Sequence, residues 1–267
     1  IPNFGVTILG SSHGFDKTGS TSGFVIWVHG RGIMVDPPPY SGRLLRSFGI
    51  SPQSISSLIL THIHADHDAG TFQKLLRDKK VTVYTTQTIM DSFVRKYAAV
   101  SGLPATLIRS LFRLFPAKIG RPTKFHGGEL RFFYSHHTIP AIGVEASLGG
   151  QSLIYSADTR TDPDLHRKMY EDGIIGKTRR DHLLANPLTG AHALILHEAG
   201  FPPIHTPVSV LAAQPMHVKK RLFVVHTSPR VLPPEKQKEA RLHRPAAWDT
   251  LEIVVAERNT SRKKRDR

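Results

Sequence analysis

The 267-residue chain contains no cysteine, which excludes disulfide bonds, thiolate nucleophiles and cysteine-bound zinc. Any metal site must therefore use histidine and carboxylate side chains. The chain also lacks an apolar run approaching the roughly 18 residues that cross a bilayer, and its start lacks the basic-then-apolar order of a signal peptide. These absences predict a soluble, cytoplasmic protein without a membrane partner.

The first residue is Ile1 and not methionine, so we expect a processed or excised chain. A further domain outside this chain is compatible with that start, and a homodimer is compatible with the sequence.

Positive charge is in excess, with a formal net charge of +15. Residues 73–131 contain twelve Lys or Arg and three Asp or Glu, and residues 258–267 form a second basic segment. Such a balance attracts polyanions such as nucleic acid. A solvated basic helical surface followed by a disordered tail explains the same charge, so both interpretations stay open.

Short runs of β-forming residues alternate with helical patterns along the chain. Ten such runs, from "FGVTIL" to "TLEIVV", end at Gly, Pro, Asp or His or lead into a loop. Between them, "TIMDSFVRKYAAV" and "LPATLIRSLFRLF" have helical periodicity. The residues sharing a face are Ile89, Phe93 and Tyr97 in the first helix and Leu107, Leu111 and Phe115 in the second. This alternation predicts one layered α/β domain, residues 1–257, followed by a tail, residues 258–267.

The segment "ILTHIHADHDAG", residues 59–70, concentrates imidazole and carboxylate groups directly after a buried strand pattern. A helical pattern follows, with Asp66 or Asp68 as its predicted N-cap. His62, His64, Asp66 and His67 would then project from the carboxyl end of a strand, where α/β proteins place ligand sites.

This spacing indicates two metal ions. Side chains two residues apart can converge on one ion while a neighbouring Asp-His pair turns toward a second. Zinc accepts both donor types and two ions can lower the pKa of a shared water towards ~7, although manganese and iron accept the same donors. Further ligands are required, and His137, Asp158 and His226 each follow a strand-like run. Asp158 suits a bridging position because a carboxylate has two ligating oxygens.

An ordered series of motifs extends over nearly the whole chain, to about residue 256. It reads "GSSHGFDKTGSTSG", "IMVDPP", "THIHADHDAG", "HHTIPAIG", "YSADTR", "LHEAGF", "IHTP" and "VVHTSPR". The series resembles the metallo-β-lactamase-fold hydrolases, in the branch that contains RNase Z and cyclic-nucleotide phosphodiesterases. The resemblance implies a four-layer αββα sandwich with mixed sheets and a site at one sheet edge.

The resemblance also implies roles for individual residues. One zinc would be held by His62, His64 and His137, the other by Asp66, His67 and His226, with Asp158 bridging and Asp36 supporting the metal loop. A hydroxide bridging the two metals would attack phosphorus, and Asp66 would position it. His205 would protonate the leaving oxygen and Glu198 would orient His205, although a salt bridge or helix cap is an equal interpretation of Glu198. The first motif could contact phosphate through its amides, and Arg160 and Arg230 could clamp it.

Several departures bear on the substrate. RNase Z enzymes carry a long arm between the positions equivalent to His137 and Asp158, where only 20 residues lie here. "HEAGF" replaces "HEATF", and Val231 replaces a tyrosine. We therefore predict a dinuclear metal phosphodiesterase acting on a small substrate such as a cyclic nucleotide. The alternatives are tRNA 3′-end processing, lactone or thioester hydrolysis, and a non-catalytic nucleic-acid-binding module that kept the fold.

Overall fold

A computed structural model describes residues 1–78, 81–185, 188 and 190–255. Its strands are β1 (Phe4–Gly10), β2 (Gly23–Val28), β3 (Arg31–Val35), β4 (Ser57–Ile59), β5 (Val81–Thr85), β6 (Phe112–Pro116), β7 (Pro122–Phe125), β8 (Gly128–Tyr134), β9 (Ile142–Leu148), β10 (Gln151–Tyr155), β11 (Leu194–Glu198), β12 (Leu222–Val225) and β13 (Thr250–Glu252). Its helices are α1 (Ser41–Ser47), α2 (Ala65–Arg77), α3 (Gln87–Ser101), α4 (Ala105–Ser110), α5 (Pro163–Glu171), α6 (Lys177–Leu184), α7 (Val208–Ala212), α8 (Met216–Lys219) and α9 (Pro234–Ala240), with a 3₁₀ turn at Pro52–Ser54.

The strands form two mixed sheets. One has the order β13-β1-β2-β3-β4-β5-β6 and the other β12-β11-β10-β9-β8-β7. In the first sheet the pairs from β13 to β3 are antiparallel and those from β3 to β6 are parallel. In the second sheet the pairs from β7 to β10 are antiparallel and those from β10 to β12 are parallel. Parallel neighbours need crossover connections, which explains why the described helices other than α9 lie in connections between parallel strands.

The inner faces of the two sheets share one apolar core. Phe24 of β2 packs edge-to-face against Tyr155 of β10, with ring centroids 4.8 Å apart. Because side chains alternate along a strand, Ile154 and Ile195 point the other way and pack in a second cluster with Leu211 of α7. Helices therefore cover an outer sheet face, and the architecture is the predicted four-layer αββα sandwich.

The structure confirms one predicted helix and corrects the other. Ile89, Phe93 and Tyr97 are buried along α3, as expected. The second pattern is helical only to Ser110, and Phe112–Pro116 forms β6 instead of a last helical turn. The strand pairs with the edge of β5 that β4 leaves open, and Phe115 stacks on Tyr84 with ring centroids 4.7 Å apart. Edge pairing thus overrides the helical periodicity. Strands β7 and β9 were also not predicted.

Within the described ranges, no helix is both long and apolar enough to span a bilayer. The predicted basic tail, residues 258–267, and the last two residues of the predicted domain lie outside the described residues.

Candidate metal centre

The candidate site residues lie where strands of both sheets end. β4 belongs to the first sheet, whereas β8, β10, β11 and β12 belong to the second. The segments after these strands supply His62 and His64 (β4), His137 (β8), Asp158 (β10) and His226 (β12), while Glu198 is the last residue of β11. Parallel strand ends meet at one edge, which explains how distant parts of the chain converge.

Helix α2 begins earlier than predicted. His64 is its N-cap, without a side-chain capping bond, and Asp66 and Asp68 lie in the first turn, so the predicted Asp66 or Asp68 cap is wrong. Both carboxylates have other partners, because Asp66 faces His226 and Asp68 is buried against Lys96. The earlier start turns Asp66 toward the site from the first helical turn.

A glycine allows α2 to approach the first sheet closely. A Cβ atom on Gly70 would lie 1.8 Å from the carbonyl oxygen of Pro37. The glycine therefore lets α2 lie directly against the backbone that follows β3.

One group of potential ligands gathers around His64. His137 Nε2 lies 3.0 Å from His64 Nδ1, and both His62 Nε2 and His137 Nε2 lie within 4 Å of Asp158 Oδ2, at 3.7 and 3.8 Å. Donors bound tetrahedrally to zinc lie about 3.4 Å from one another. These four side chains therefore form a group that could hold a metal ion.

The second group lies on the other side of Asp158. His226 Nε2 is 3.2 Å and His67 Nε2 is 3.7 Å from Asp66 Oδ2. Asp158 reaches this group too, with Oδ1 at 3.3 Å from His67 Nε2 and Oδ2 at 3.5 Å from His226 Nε2. The Asp158 carboxylate thus lies between the two groups, as a bridging ligand must.

The donor atoms fit a pair of cations. His62 Nε2, His67 Nε2 and Asp158 Oδ1 are buried without a hydrogen-bond partner among the described residues, which is costly for polar atoms. His67 Nδ1 lies 3.0 Å from Asp36 Oδ2, so donation to Asp36 leaves the Nε2 lone pair facing the site. Divalent cations would satisfy all three inward atoms.

The charge states of His62, His137 and Asp158 suit metal binding. Burial lowers the pKa of His62 well below its ordinary value and that of His137 to about 4, which keeps both imidazoles neutral. Burial alone would raise the pKa of Asp158, but the surrounding imidazoles, led by His226, hold it well below its usual range. Asp158 is therefore a buried anion.

Glu198 and His205 form a pair beside this centre. Glu198 is fully buried, and its carboxylate accepts the Thr206 N–H at 2.7 Å and lies 3.1 Å from His205 Nδ1. His205 Nδ1 is 4.0 Å from Asp158 Oδ2. Burial would lower the pKa of His205, but the bond to Glu198 outweighs it and raises that pKa. Glu198 thus contacts His205 directly, and the role assigned to each stays a prediction.

Two basic side chains near the centre have partners within the chain. Arg160 donates to Pro203 O and Asp162 Oδ2, so much of its guanidinium is already engaged within the chain. Lys96, which donates to both oxygens of Asp68, had not been recognised from the sequence. No local pattern marks it, because its partner lies on another helix.

Comparison with known proteins identifies a family that matches most of this chain. Residues 4–244 match the family described as "Anti-Pycsar protein Apyc1". The chain is 53% identical over 232 residues to the cGMP-dependent 3′,5′-cGMP phosphodiesterase A of Dictyostelium discoideum, covering 87% of this chain and 26% of that protein. It is 40% identical to the cAMP/cGMP-dependent 3′,5′-cAMP/cGMP phosphodiesterase B of the same organism, covering 86% and 21%.

Among solved structures, the metallo-β-lactamase-fold protein YhfI from Bacillus subtilis superposes with a TM-score of 0.65 at 17% identity, covering 94% of this chain and 99% of that chain. At that identity the likeness supports the fold alone. The chain spans about a quarter or less of the two Dictyostelium relatives, at 26% and 21% of their lengths. On the family match over residues 4–244, the chain belongs to the anti-Pycsar Apyc1 family, and its fold is the metallo-β-lactamase fold.

Proposed function

We propose that residues 1–257 form the hydrolase domain of a metal-dependent phosphodiesterase that opens the 3′,5′-phosphodiester ring of a cyclic nucleotide. The observation that carries this proposal is the convergence of two His/Asp groups on Asp158. The names of the two Dictyostelium relatives support the choice of a cyclic nucleotide.

The cofactors that fit are two divalent cations, with zinc first and manganese or iron as alternatives. His62, His64 and His137 would hold one, Asp66, His67 and His226 the other, and Asp158 both. When bound, such ions polarise phosphoryl oxygens and lower the pKa of water.

The chain's own residues then supply positioning and proton transfer. Asp66 Oδ2 accepts the Gly14 N–H at 3.0 Å, which fixes the carboxylate that would orient the attacking water. His205 would donate its proton to the leaving ribose oxygen. The Glu198 anion opposes the repulsion that neighbouring cations would exert on protonated His205, so it would keep the proton available.

The segment between His137 and Asp158 favours a small substrate over tRNA. Strands β9 and β10 occupy most of it and pair with each other across the short turn at 149–150. A protruding RNA-binding arm has no place in that hairpin.

The test is hydrolysis of cyclic GMP and cyclic AMP by the purified chain with added zinc or manganese. We expect turnover that His64→Ala abolishes and that His182→Ala, a change at an exposed histidine on α6, leaves unchanged. Retained turnover in His64→Ala would contradict the site. Cleavage of precursor tRNA, or salt-dependent nucleic-acid binding without any turnover, would contradict the proposal that the substrate is a cyclic nucleotide.

A further inference from the structure

The loop between β1 and β2, residues 11–22, contacts the candidate metal centre. Its Gly14 N–H donates to Asp66 Oδ2, and a Cβ atom at Gly14 would lie 2.8 Å from Asp66 Cβ. Only a glycine allows the loop backbone to come this close to the carboxylate. Phe15 is the residue that follows this contact with Asp66.

Hydrogen bonds brace the loop on both sides of Phe15. Asp16 accepts the Ser12 hydroxyl at 2.7 Å and both the N–H and the hydroxyl of Thr18, at 3.1 and 2.9 Å. These bonds hold the pKa of Asp16 at about 2, led by the Ser12 bond, so the carboxylate stays an acceptor at neutral pH.

His13 fixes the other side. Its Nδ1 accepts the Phe15 N–H at 3.1 Å, which leaves Nε2 protonated to donate to Ser228 Oγ, also at 3.1 Å. Ser228 lies two residues after His226, so the loop is tied to the segment that carries a candidate ligand.

This braced loop presents an aromatic ring to solvent. Phe15 is 94% exposed, the highest value among the large hydrophobic side chains in the described part of the chain. Its ring lies 6.3 Å from that of His13, which lies 6.3 Å from that of His226. The ring therefore gains no stabilisation from packing in the core, and its flat face is exposed to solvent. Only the His13 ring separates it from the ring of His226, a candidate ligand.

We propose that Phe15 binds the nucleobase of the substrate by stacking while the phosphate lies at the metal centre. This inference rests on the proposed function and adds a determinant of specificity. Every base has a π-face that stacks on an aromatic side chain, so the ring distinguishes nucleotides from phosphodiesters that lack a base.

The kinetic test compares cyclic GMP with base-free ribose 3,5-cyclic phosphate. Phe15→Ala should raise KM for cyclic GMP roughly 5- to 150-fold, with kcat within about twofold, and leave the base-free substrate unchanged. Phe15→Trp should restore the low KM. The matched control is Phe48→Ala, since Phe48 is also exposed but stacks on Trp248, with ring centroids 3.4 Å apart.

An unchanged KM for cyclic GMP in Phe15→Ala, or equal losses for both substrates, would overturn the inference. If the unmodified chain hydrolyses neither substrate, the proposed function fails, and equilibrium binding still decides the stacking role. We then expect guanosine 5′-monophosphate to bind more tightly than ribose 5-phosphate, and Phe15→Ala to remove that preference. Equal binding of the two ligands to the unmodified chain would contradict it.

Discussion

Three residues beside the metal centre have left-handed backbone although none is glycine. The φ angles are 40° at Asp36, 50° at Ala157 and 51° at His226. Each lies just after a strand, β3, β10 or β12. Such conformations cost on the order of 1–3 kcal/mol each and persist where the surrounding structure enforces them. The strain coincides with the sharp turns that aim Asp158 and His226 at the site.

A leaving-group comparison tests His205 at the same scale. His205→Ala should lower kcat for a cyclic nucleotide roughly 10²- to 10⁴-fold, because the departing ribose oxygen needs a proton. Hydrolysis of bis(p-nitrophenyl) phosphate should change far less, since p-nitrophenolate leaves without one. Equal losses in the two steady-state assays would show that His205 does not act as the proton donor.

Asp36 contacts His67, a candidate ligand of the centre. The carboxylate accepts from the Thr61 N–H and hydroxyl and lies 3.0 Å from His67 Nδ1. Asp36→Asn removes the charge that orients His67, so zinc affinity should fall roughly 10- to 100-fold, as measured by competition with a chromogenic chelator. Asp91→Asn, at a half-buried aspartate on α3, is the control. An unchanged affinity in Asp36→Asn would exclude a supporting role.

At the scale of elements, a partly buried ion pair joins α2 to α3. Asp68 of α2 is fully buried, and it accepts from Lys96 Nζ at 2.6 Å and from Tyr97 Oη at 2.7 Å. Lys96 also donates to Ile63 O in the metal loop, at 2.8 Å. The helix that carries Asp66 and His67 is therefore fixed by its neighbour.

Lys96→Met keeps the apolar stem but leaves the Asp68 carboxylate without its cation. The free energy of unfolding should fall by about 2–4 kcal/mol in urea titrations of the metal-free chain. Arg95→Met, at an exposed neighbour, should have little effect. Adding Asp68→Asn to Lys96→Met should recover part of the loss, and no recovery would mean that the pair does not act as a unit.

At the scale of the whole molecule, the candidate ligands come from both sheets. His62 and His64 follow a strand of the first sheet, whereas Asp158 and His226 follow strands of the second. Ions held by these side chains would connect the two halves of the sandwich. Metal binding should therefore stabilise the fold as a whole.

Thermal unfolding measures that coupling. Removing bound metal with a chelator should lower Tm by roughly 5–10 °C, since saturation at 100 times Kd contributes about 2.7 kcal/mol and each kcal/mol moves Tm by about 2–4 °C in a chain of this size. Chelation should lower the Tm of His64→Ala by less. A Tm that does not respond to chelation in the unmodified chain would argue against metal bridging the sheets.

The sequence by itself determined the layered α/β class, most strands, helix α3 and the side chains of the candidate site. The elements follow from local hydrophobic periodicity. The site follows from residue types that commonly bind metals, such as the His/Asp cluster at residues 62–67. Its order of motifs also indicated the metallo-β-lactamase fold.

Only the tertiary structure decided the start of α2, the conversion of 112–116 from helix to strand, and the contacts of Lys96 and Phe15. Each of these features depends on a partner far away in the chain. Asp66 and Asp68 of α2 contact His226 and Lys96, strand β6 pairs with the edge of β5, and the loop at Gly14 contacts Asp66. Local patterns cannot encode such partners, because the energy that selects these conformations comes from contacts that exist only after the sheets have paired.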